Sequence, residues 1–211
     1  TIVLWLLVGG YFMSTEILIA FIIYAFVTSI TPGPNNTMLL ASGLNYGFKR
    51  SLPHVLGISI GFALMVIAVG TGLGRVFENW PQVYIALRIC GATYLIYLAW
   101  NIATALPMSK ISESSARPFS FWEAAGFQWV NPKAWIMATG AITTYLPQGE
   151  NVRSVIFLSI LFASINAPSV SIWVTFGATL RHWLNDIKYL RIFNVCMAML
   201  LLASLYPLLF L

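Results

Sequence analysis

Long apolar segments alternate with short polar connections along almost the whole chain. Because about 20 helical residues cross a bilayer core about 30 Å thick, apolar segments of this length predict membrane-spanning helices. The six predicted spans are residues 16–44, 53–74, 81–106, 121–146, 152–179 and 189–211. The connections leave no room for a soluble domain, so the pattern predicts an all-α integral membrane protein.

The first and fourth predicted spans are each interrupted near the middle by proline and asparagine. The first break reads TPGPNN and the second reads NPK, and Pro132 lies 100 residues after Pro32. This spacing divides the chain into two groups of three spans, about residues 13–106 and 121–211. Because an odd number of crossings reverses the second group, the sequence predicts two inverted three-helix repeats, each opening with a broken helix.

Broken backbone in a membrane must be covered by protein or line a water-filled cavity, and paired breaks predict a binding site at the bilayer midplane. Asparagine is a good helix cap and proline suits the first helical position, so helices should restart at both breaks. Their positive ends, together with the charge of Lys133, suit a carboxylate. The carbonyl groups where the preceding helices end, at Ile30 and Val130, suit an ammonium group. An amino acid, which is a zwitterion, matches both features.

The predicted substrate-binding residues come from the two breaks. They are Thr31, Pro32, Gly33, Pro34, Asn35, Asn36, Asn131, Pro132 and Lys133. A single proline in a membrane helix is often only a kink, and a lysine can extend toward the membrane surface. The clustering of two prolines, a glycine and two asparagines favours a site, as does a lysine well inside its span.

Further polar residues are candidates for the transport path or a proton relay, with interhelical hydrogen bonds, or helix caps and salt bridges for His54 and Glu123, as the structural alternatives. They are His54, Arg88, Glu123, Gln128 and Asn166. A histidine titrates near neutrality, and a desolvated glutamate can be raised toward it, so His54 and Glu123 are the two that could carry a proton.

Composition supports a membrane protein, since 59% of residues are hydrophobic and only 8% are charged, against about 25% charged in soluble domains. The net charge of +5 does not indicate nucleic-acid binding, because most of the basic residues lie in or beside short loops between apolar spans. Cys90 and Cys196 fall inside apolar spans, which predicts buried free thiols rather than a disulfide. No spacing of metal ligands surrounds them, so neither a metal site nor a cofactor is expected.

The distribution of basic residues predicts the orientation. Seven lie in or beside the loops after spans one, three and five: Lys49, Arg50, Lys110, Arg117, Arg181, Lys188 and Arg191. The other loops carry only Arg75 and Arg153, offset by Glu78 and Glu150. The positive-inside rule therefore places the first set in the cytoplasm and both termini outside. If the first span re-enters instead of crossing, the amino end is inside and the carboxyl end is unaffected.

The amino end contains an apolar stretch without the basic leader and cleavage site of a signal peptide. Residues 1–12 are expected to be a dispensable extension, because Met13 followed by Ser14 reads as a more natural start. Residues 13–211 are then a single transmembrane domain.

Two stretches, SITPGPNNTMLLASGLNYGFKRSLPHVLGISIGF and FWEAAGFQWVNPKAW, resemble the LysE/RhtB family of bacterial amino-acid exporters. The resemblance runs from about Met13 to the carboxyl end and implies a multi-pass inner-membrane protein that expels amino acids in exchange for protons. Branches linked to lysine and arginine tend to carry acidic residues where this chain has Ile60 and Met137. Their absence implies a neutral substrate such as homoserine, threonine or a branched-chain amino acid.

Three other functions are compatible with the fold class. An exporter of another small solute or of a metal ion is one, although no intramembrane thiolate or carboxylate cluster supports a divalent metal. A small channel is another. An intramembrane enzyme is the third, and both histidines, His54 and His182, lie at span ends without a nucleophile–base pairing. The expected partners are the amino acid, protons and the bilayer; a homo-oligomer is left open.

Overall fold

The computed structural model describes residues 14–73, 79–104, 117–146, 151–183 and 187–203, without the side chains at 81, 83, 84, 87, 88, 181–183 and 187. All regular structure in these residues is helical, which confirms the predicted all-α class. The α-helices are α1 (Thr15–Ile30), α2 (Pro34–Tyr46), α3 (Phe48–Ala68), α4 (Pro81–Ala103), α5 (Phe121–Phe127), α6 (Pro132–Tyr145), α7 (Val152–Trp183) and α8 (Ile187–Ala203). A π-helical turn, Val69–Leu73, extends α3, and a 3₁₀ turn, Gln128–Val130, follows α5. The proposed extension at residues 1–12 lies outside the described residues.

Within the described ranges, two helices are long and apolar enough to cross a bilayer, namely Phe48–Leu73 with 26 residues and Val152–Leu180 with 29 residues. Helices α1 and α2 meet this criterion only as a pair, bent by 55° at the first break. Length and composition thus support two membrane spans, or three if the bent pair is one span. The arrangement of six spans in two inverted repeats stays a prediction.

The second predicted span begins earlier than the sequence pattern indicated. Helix α3 starts at Phe48 and contains Pro53, where the start was predicted. Gly47 explains the difference, since its φ of 81° ends α2 and starts α3 within a single residue. Such a positive φ is readily adopted by glycine and disfavoured for other residues, so the chain reverses here without a longer loop.

Helix α7 is central and packs against α1, α2 and α3, while α5 packs on α3 and α8 on α4. Buried phenylalanine rings join three of these helices edge to face, with ring centroids 4.7 Å apart for Phe62–Phe162 and 5.5 Å for Phe21–Phe162. Aromatic pairs prefer this geometry. The packing holds α1, α3 and α7 around the first break.

Helices α2 and α7 approach so closely that their backbones touch. A Cβ atom added at Gly43 would collide with the carbonyl oxygen of Val174, and one added at Gly177 would collide with that of Leu40. Small residues at such positions allow membrane helices to pack closely. The two glycines therefore set the distance between α2 and α7.

The prediction of buried thiols is wrong. Cys90 on α4 and Cys196 on α8 are free, as expected, but both side chains are exposed on the protein surface. Apolar sequence cannot distinguish the two environments, because lipid tails are as apolar as a protein core.

Candidate functional site

Helices restart at both breaks, where the sequence predicted. After α1 ends at Ile30, α2 begins at Pro34, and after the 3₁₀ turn α6 begins at Pro132. The side chain of Asn131 caps α6, since its Oδ1 accepts a hydrogen bond from the Lys133 backbone N–H at 3.1 Å. The cap of α2 is Gly33, which offers no side-chain hydrogen bond. Both breaks are thus fixed by local chain chemistry.

The two breaks contact each other through Lys133. Its Nζ donates hydrogen bonds to the Thr31 carbonyl at 2.7 Å, to Thr31 Oγ1 at 2.9 Å and to the Pro32 carbonyl at 3.3 Å. Gly33 leaves room for this side chain, because an added Cβ would lie 2.8 Å from Lys133 Cδ. A cation on the second break is therefore held by the carbonyl groups of the first.

The carbonyl groups of the first break are not free, in contrast to the expectation from sequence. The Ile30 carbonyl accepts from Trp173 Nε1 at 3.0 Å, and the Thr31 carbonyl also accepts from Asn36 Nδ2 at 2.8 Å. A polar group removed from water needs a partner, so these donors take the positions that were expected to await a ligand. Trp173 was not predicted as a residue of the site. The available signal was its indole N–H inside a span, because such a buried donor usually finds a hydrogen-bond acceptor.

Two candidate path residues connect the elements around the breaks. Asn35 and Gln128 pair reciprocally, with Asn35 Nδ2 donating to Gln128 Oε1 at 2.9 Å and Gln128 Nε2 donating to Asn35 Oδ1 at 3.2 Å. Asn166 on α7 donates to Ser29 Oγ at 3.0 Å and accepts from Ser59 Oγ at 3.0 Å. The two serines are part of this network and were not predicted, since isolated serines in membrane helices carry no specific signal.

A small space, the central cavity, lies between the breaks and is lined by Gly33, Asn35, Asn36, Gln128, Asn131 and Lys133, among others. Its volume of about 20 Å³ holds about one water molecule, not an amino acid. Lys133 is the one charged side chain among the described residues that line it. The buried Oδ1 of Asn36 has no hydrogen-bond partner among the described residues.

The two positions at which the resemblance implied acidic residues in basic-substrate branches, Ile60 and Met137, differ in location. Met137 lines the central cavity and is 7% exposed, so the residue at this position contacts that space. Ile60 is 45% exposed and does not line the cavity, whereas Ile58 on the same helix does. Of these two positions, only Met137 can directly affect which molecules the central cavity accepts.

A second and larger space of about 490 Å³, the vestibule, is lined by residues including Asn45, His54, Tyr94, Arg117, Phe119 and Glu123. On α2, Asn35 lines the central cavity, and Met38, one turn along, lines the vestibule. A similar step of about one turn separates Ile58, which lines the central cavity, from His54, which lines the vestibule, on α3. The vestibule therefore leads toward the central cavity.

Two of the remaining candidates, Glu123 and His54, do not line the central cavity. Glu123 lies at the vestibule, where it forms the capping box of α5 with Ser120 and accepts two hydrogen bonds from Arg117, at 2.7 and 2.8 Å. These bonds raise the pKa of the Arg117 guanidinium. Both structural roles considered for Glu123 are thus present. The side chain of Arg88 lies outside the described part of the chain.

His54 is fully enclosed in the wall of the vestibule, and its ring lies 5.1 Å from that of Phe119. Neither ring nitrogen has a hydrogen-bond partner among the described residues. It is therefore neither a helix cap nor an interhelical bridge within that part of the chain.

Comparisons with known proteins agree on one family. The sequence profile of the LysE type translocators matches residues 26–204. Proteins from Escherichia coli and Shigella sonnei, both named cysteine/O-acetylserine efflux protein, are 32% identical to the chain over 191 residues. The alignment covers 90% of this chain and 95% of each relative. No solved structure matches the chain.

Proposed function

The chain belongs to the family of LysE type translocators, and we propose that it exports a small neutral amino acid, or a close derivative, across the bacterial inner membrane. The observation that carries the proposal is the contact between the breaks, in which Lys133 of the second is held by the Thr31 and Pro32 carbonyls of the first. The contact brings together one cation and several carbonyl acceptors, which is what a zwitterion needs.

Substrate binding exchanges partners within this contact. The carboxylate of the amino acid binds the Lys133 ammonium group. The substrate ammonium group then donates hydrogen bonds to the carbonyl oxygens that Lys133 releases. The unpartnered Asn36 Oδ1 adds a further acceptor beside them. Because each charge is paired before and after the exchange, no buried charge is left without a partner, a state that is expensive in a low-dielectric site.

Export follows by alternating access between two inverted three-helix repeats. The first broken helix, α1 with α2, and the second, α5 with α6, occupy matching positions 100 residues apart, as in transporters built from such repeats. With basic loops inside, the vestibule opens to the cytoplasm and the carboxyl end faces outward. Exchange for protons would drive export against a substrate gradient.

The substrate is expected to be neutral, because the described residues around the central cavity include Lys133 but no carboxylate. A second positive charge on the substrate would meet Lys133 without compensation, and repulsion at close range inside a protein is strong. The relatives named for cysteine and O-acetylserine efflux make these two compounds the first candidates, before threonine and homoserine.

Transport into inside-out membrane vesicles with an acidic interior tests this function. Labelled cysteine and O-acetylserine should accumulate at least about tenfold above lysine, since an energy penalty of about 1.4 kcal/mol on the second charge gives that ratio. Dissipating the proton gradient should abolish accumulation while leaving equilibration. Accumulation of lysine, or of a metal ion but no neutral amino acid, would contradict the proposal.

The Asn35–Gln128 pair is proposed to close the central cavity toward the vestibule. Ala134 lines the cavity, so Ala134→Cys introduces a thiol there, in a background in which the exposed Cys90 and Cys196 are changed to serine. The rate at which this thiol reacts with a bulky hydrophilic thiol reagent measures how often the passage from the vestibule is open. Adding Gln128→Ala should speed this reaction about tenfold, because two reciprocal hydrogen bonds contribute roughly 1–3 kcal/mol to the closed state.

Gln82→Ala is the matched control for this experiment, because Gln82 is exposed on α4 and does not line either space. Its effect on the thiol reaction should be negligible. An unchanged rate in Gln128→Ala would mean that the pair does not close the passage, although the binding site itself would stand.

A further inference from the structure

The vestibule is built like a binding site rather than a simple passage. Its volume of about 490 Å³ lies within the range of about 300–1,000 Å³ typical of ligand pockets. The central cavity, at about 20 Å³, is closed to a substrate in the same conformation. A molecule arriving from the vestibule side therefore meets the vestibule first and must wait there until the cavity opens.

Two buried polar groups in its wall have unused hydrogen-bonding capacity. Both nitrogens of His54 and the Oδ1 atom of Asn45 are buried without a hydrogen-bond partner among the described residues. The Asn45 side chain is otherwise anchored, because its Nδ2 donates to the Ala41 carbonyl at 2.8 Å and to Asn194 Oδ1 at 3.3 Å. Buried polar atoms are rarely left unpaired, so each exception needs an explanation.

The aromatic and charged residues of the vestibule match the rest of an amino acid. Tyr94 and Phe119 supply apolar surface, with ring centroids 6.4 Å apart. Arg117 and Glu123 provide one positive and one negative group on the same wall, and their side chains are 64% and 38% exposed. A zwitterion bound beside this pair can place its carboxylate near Arg117 and its ammonium group near Glu123.

We propose that the vestibule is a second substrate-binding site, in which His54 and Asn45 bind the polar side chain of the amino acid before it enters the central cavity. This inference rests on the proposed export function. A neutral imidazole offers one donor and one acceptor, and the Asn45 oxygen offers an acceptor. A side chain with a hydroxyl, a thiol or an acyl ester can satisfy these groups, whereas a purely aliphatic side chain cannot. The site thus selects small polar amino acids over aliphatic ones of similar size.

Protection of an introduced thiol tests the site in the full-length protein. Asn101→Cys places a thiol on the vestibule wall, with Cys90 and Cys196 changed to serine and Lys133→Met added to disable the central site. O-acetylserine at about ten times its dissociation constant should leave only about a tenth of the protein unoccupied. Labelling of this thiol should therefore slow about tenfold. Valine at the same concentration should give little protection.

Substitutions of the two polar groups separate ligand binding from structure. His54→Leu and Asn45→Ala should each abolish protection by O-acetylserine. His54→Leu should also retain or raise the melting temperature, since replacing an unpaired buried polar group with an apolar one is neutral or stabilising. Ser164→Ala, on an exposed face of α7 away from the vestibule, is the control and should leave protection intact.

The outcomes distinguish the two proposals. Protection that persists in both His54→Leu and Asn45→Ala would overturn the role of these residues. If O-acetylserine gives no protection although the unmodified chain transports it, the vestibule is not a binding site and the export function stands. If the unmodified chain neither transports nor binds any neutral amino acid, both proposals fail.

Discussion

Lys133→Met should reduce transport by at least about 100-fold while the protein still accumulates in the membrane. Methionine is apolar and similar in length, so it removes the ammonium group that contacts the Thr31 and Pro32 carbonyls with little change in volume. Hydrogen bonds to charged groups contribute roughly 1.5–3 kcal/mol each, and about 2.8 kcal/mol corresponds to 100-fold. Initial rates of uptake into inside-out vesicles, normalised to protein amount, measure the effect.

Lys49→Met is the matched control for this prediction, because Lys49 is exposed at the start of α3 and lines neither the central cavity nor the vestibule. Transport by this variant should remain within about twofold of the unmodified chain, as is usual for substitutions away from buried features. If Lys133→Met transported at the same rate as Lys49→Met, Lys133 would be only a structural link between the breaks.

Gly177→Ala should destabilise the protein by about 2–3 kcal/mol, the upper part of the range of about 1–3 kcal/mol typical of overpacking in a well-packed core. The new methyl group would collide with the Leu40 carbonyl oxygen and lie 2.9 Å from the Leu44 backbone nitrogen. Backbone atoms of α2 cannot move aside as a flexible side chain can, so the helices must separate. For a chain of this size the melting temperature should fall by roughly 4–12 °C, measured by thermal unfolding in detergent.

Gly126→Ala carries the same chemical change without the collision. Apart from the local backbone of α5, no atom of the described residues lies within 4 Å of a Cβ added at Gly126, and alanine is favoured over glycine in helices by about 0.5–1 kcal/mol. The melting temperature of this variant should stay the same or rise slightly. Equal losses in Gly126→Ala and Gly177→Ala would show that the contact between α2 and α7 is not what limits stability.

Local features of the sequence were enough to place both breaks. Proline cannot donate a backbone hydrogen bond, and asparagine caps a helix, so the restarts at Pro34 and Pro132 follow from neighbouring residues alone. The cap of α1 by Ser14 is equally local. The start of α3 was less predictable, because the sharp reversal at Gly47 depends on how α2 and α3 pack as well as on the glycine.

Partners across the fold could not be derived in this way. Thr31 accepts from Lys133, 102 residues later, and Ile30 accepts from Trp173, 143 residues later. Nothing near Ile30 in the chain indicates which of many donors will reach its carbonyl group. For the same reason the sequence could not separate Gln128, which lines the central cavity, from His54, which lines the vestibule.

The sequence by itself determined that this is a helical membrane protein of the LysE type translocator family, with helix breaks at two positions 100 residues apart. These properties depend on composition, on apolar segment length and on residues adjacent in the chain. Only the tertiary structure decided that Lys133 is held by the first break, that the central cavity is too small for an amino acid and that a larger vestibule adjoins it. Such features arise from contacts between residues far apart in the chain, which depend on how all the helices pack together.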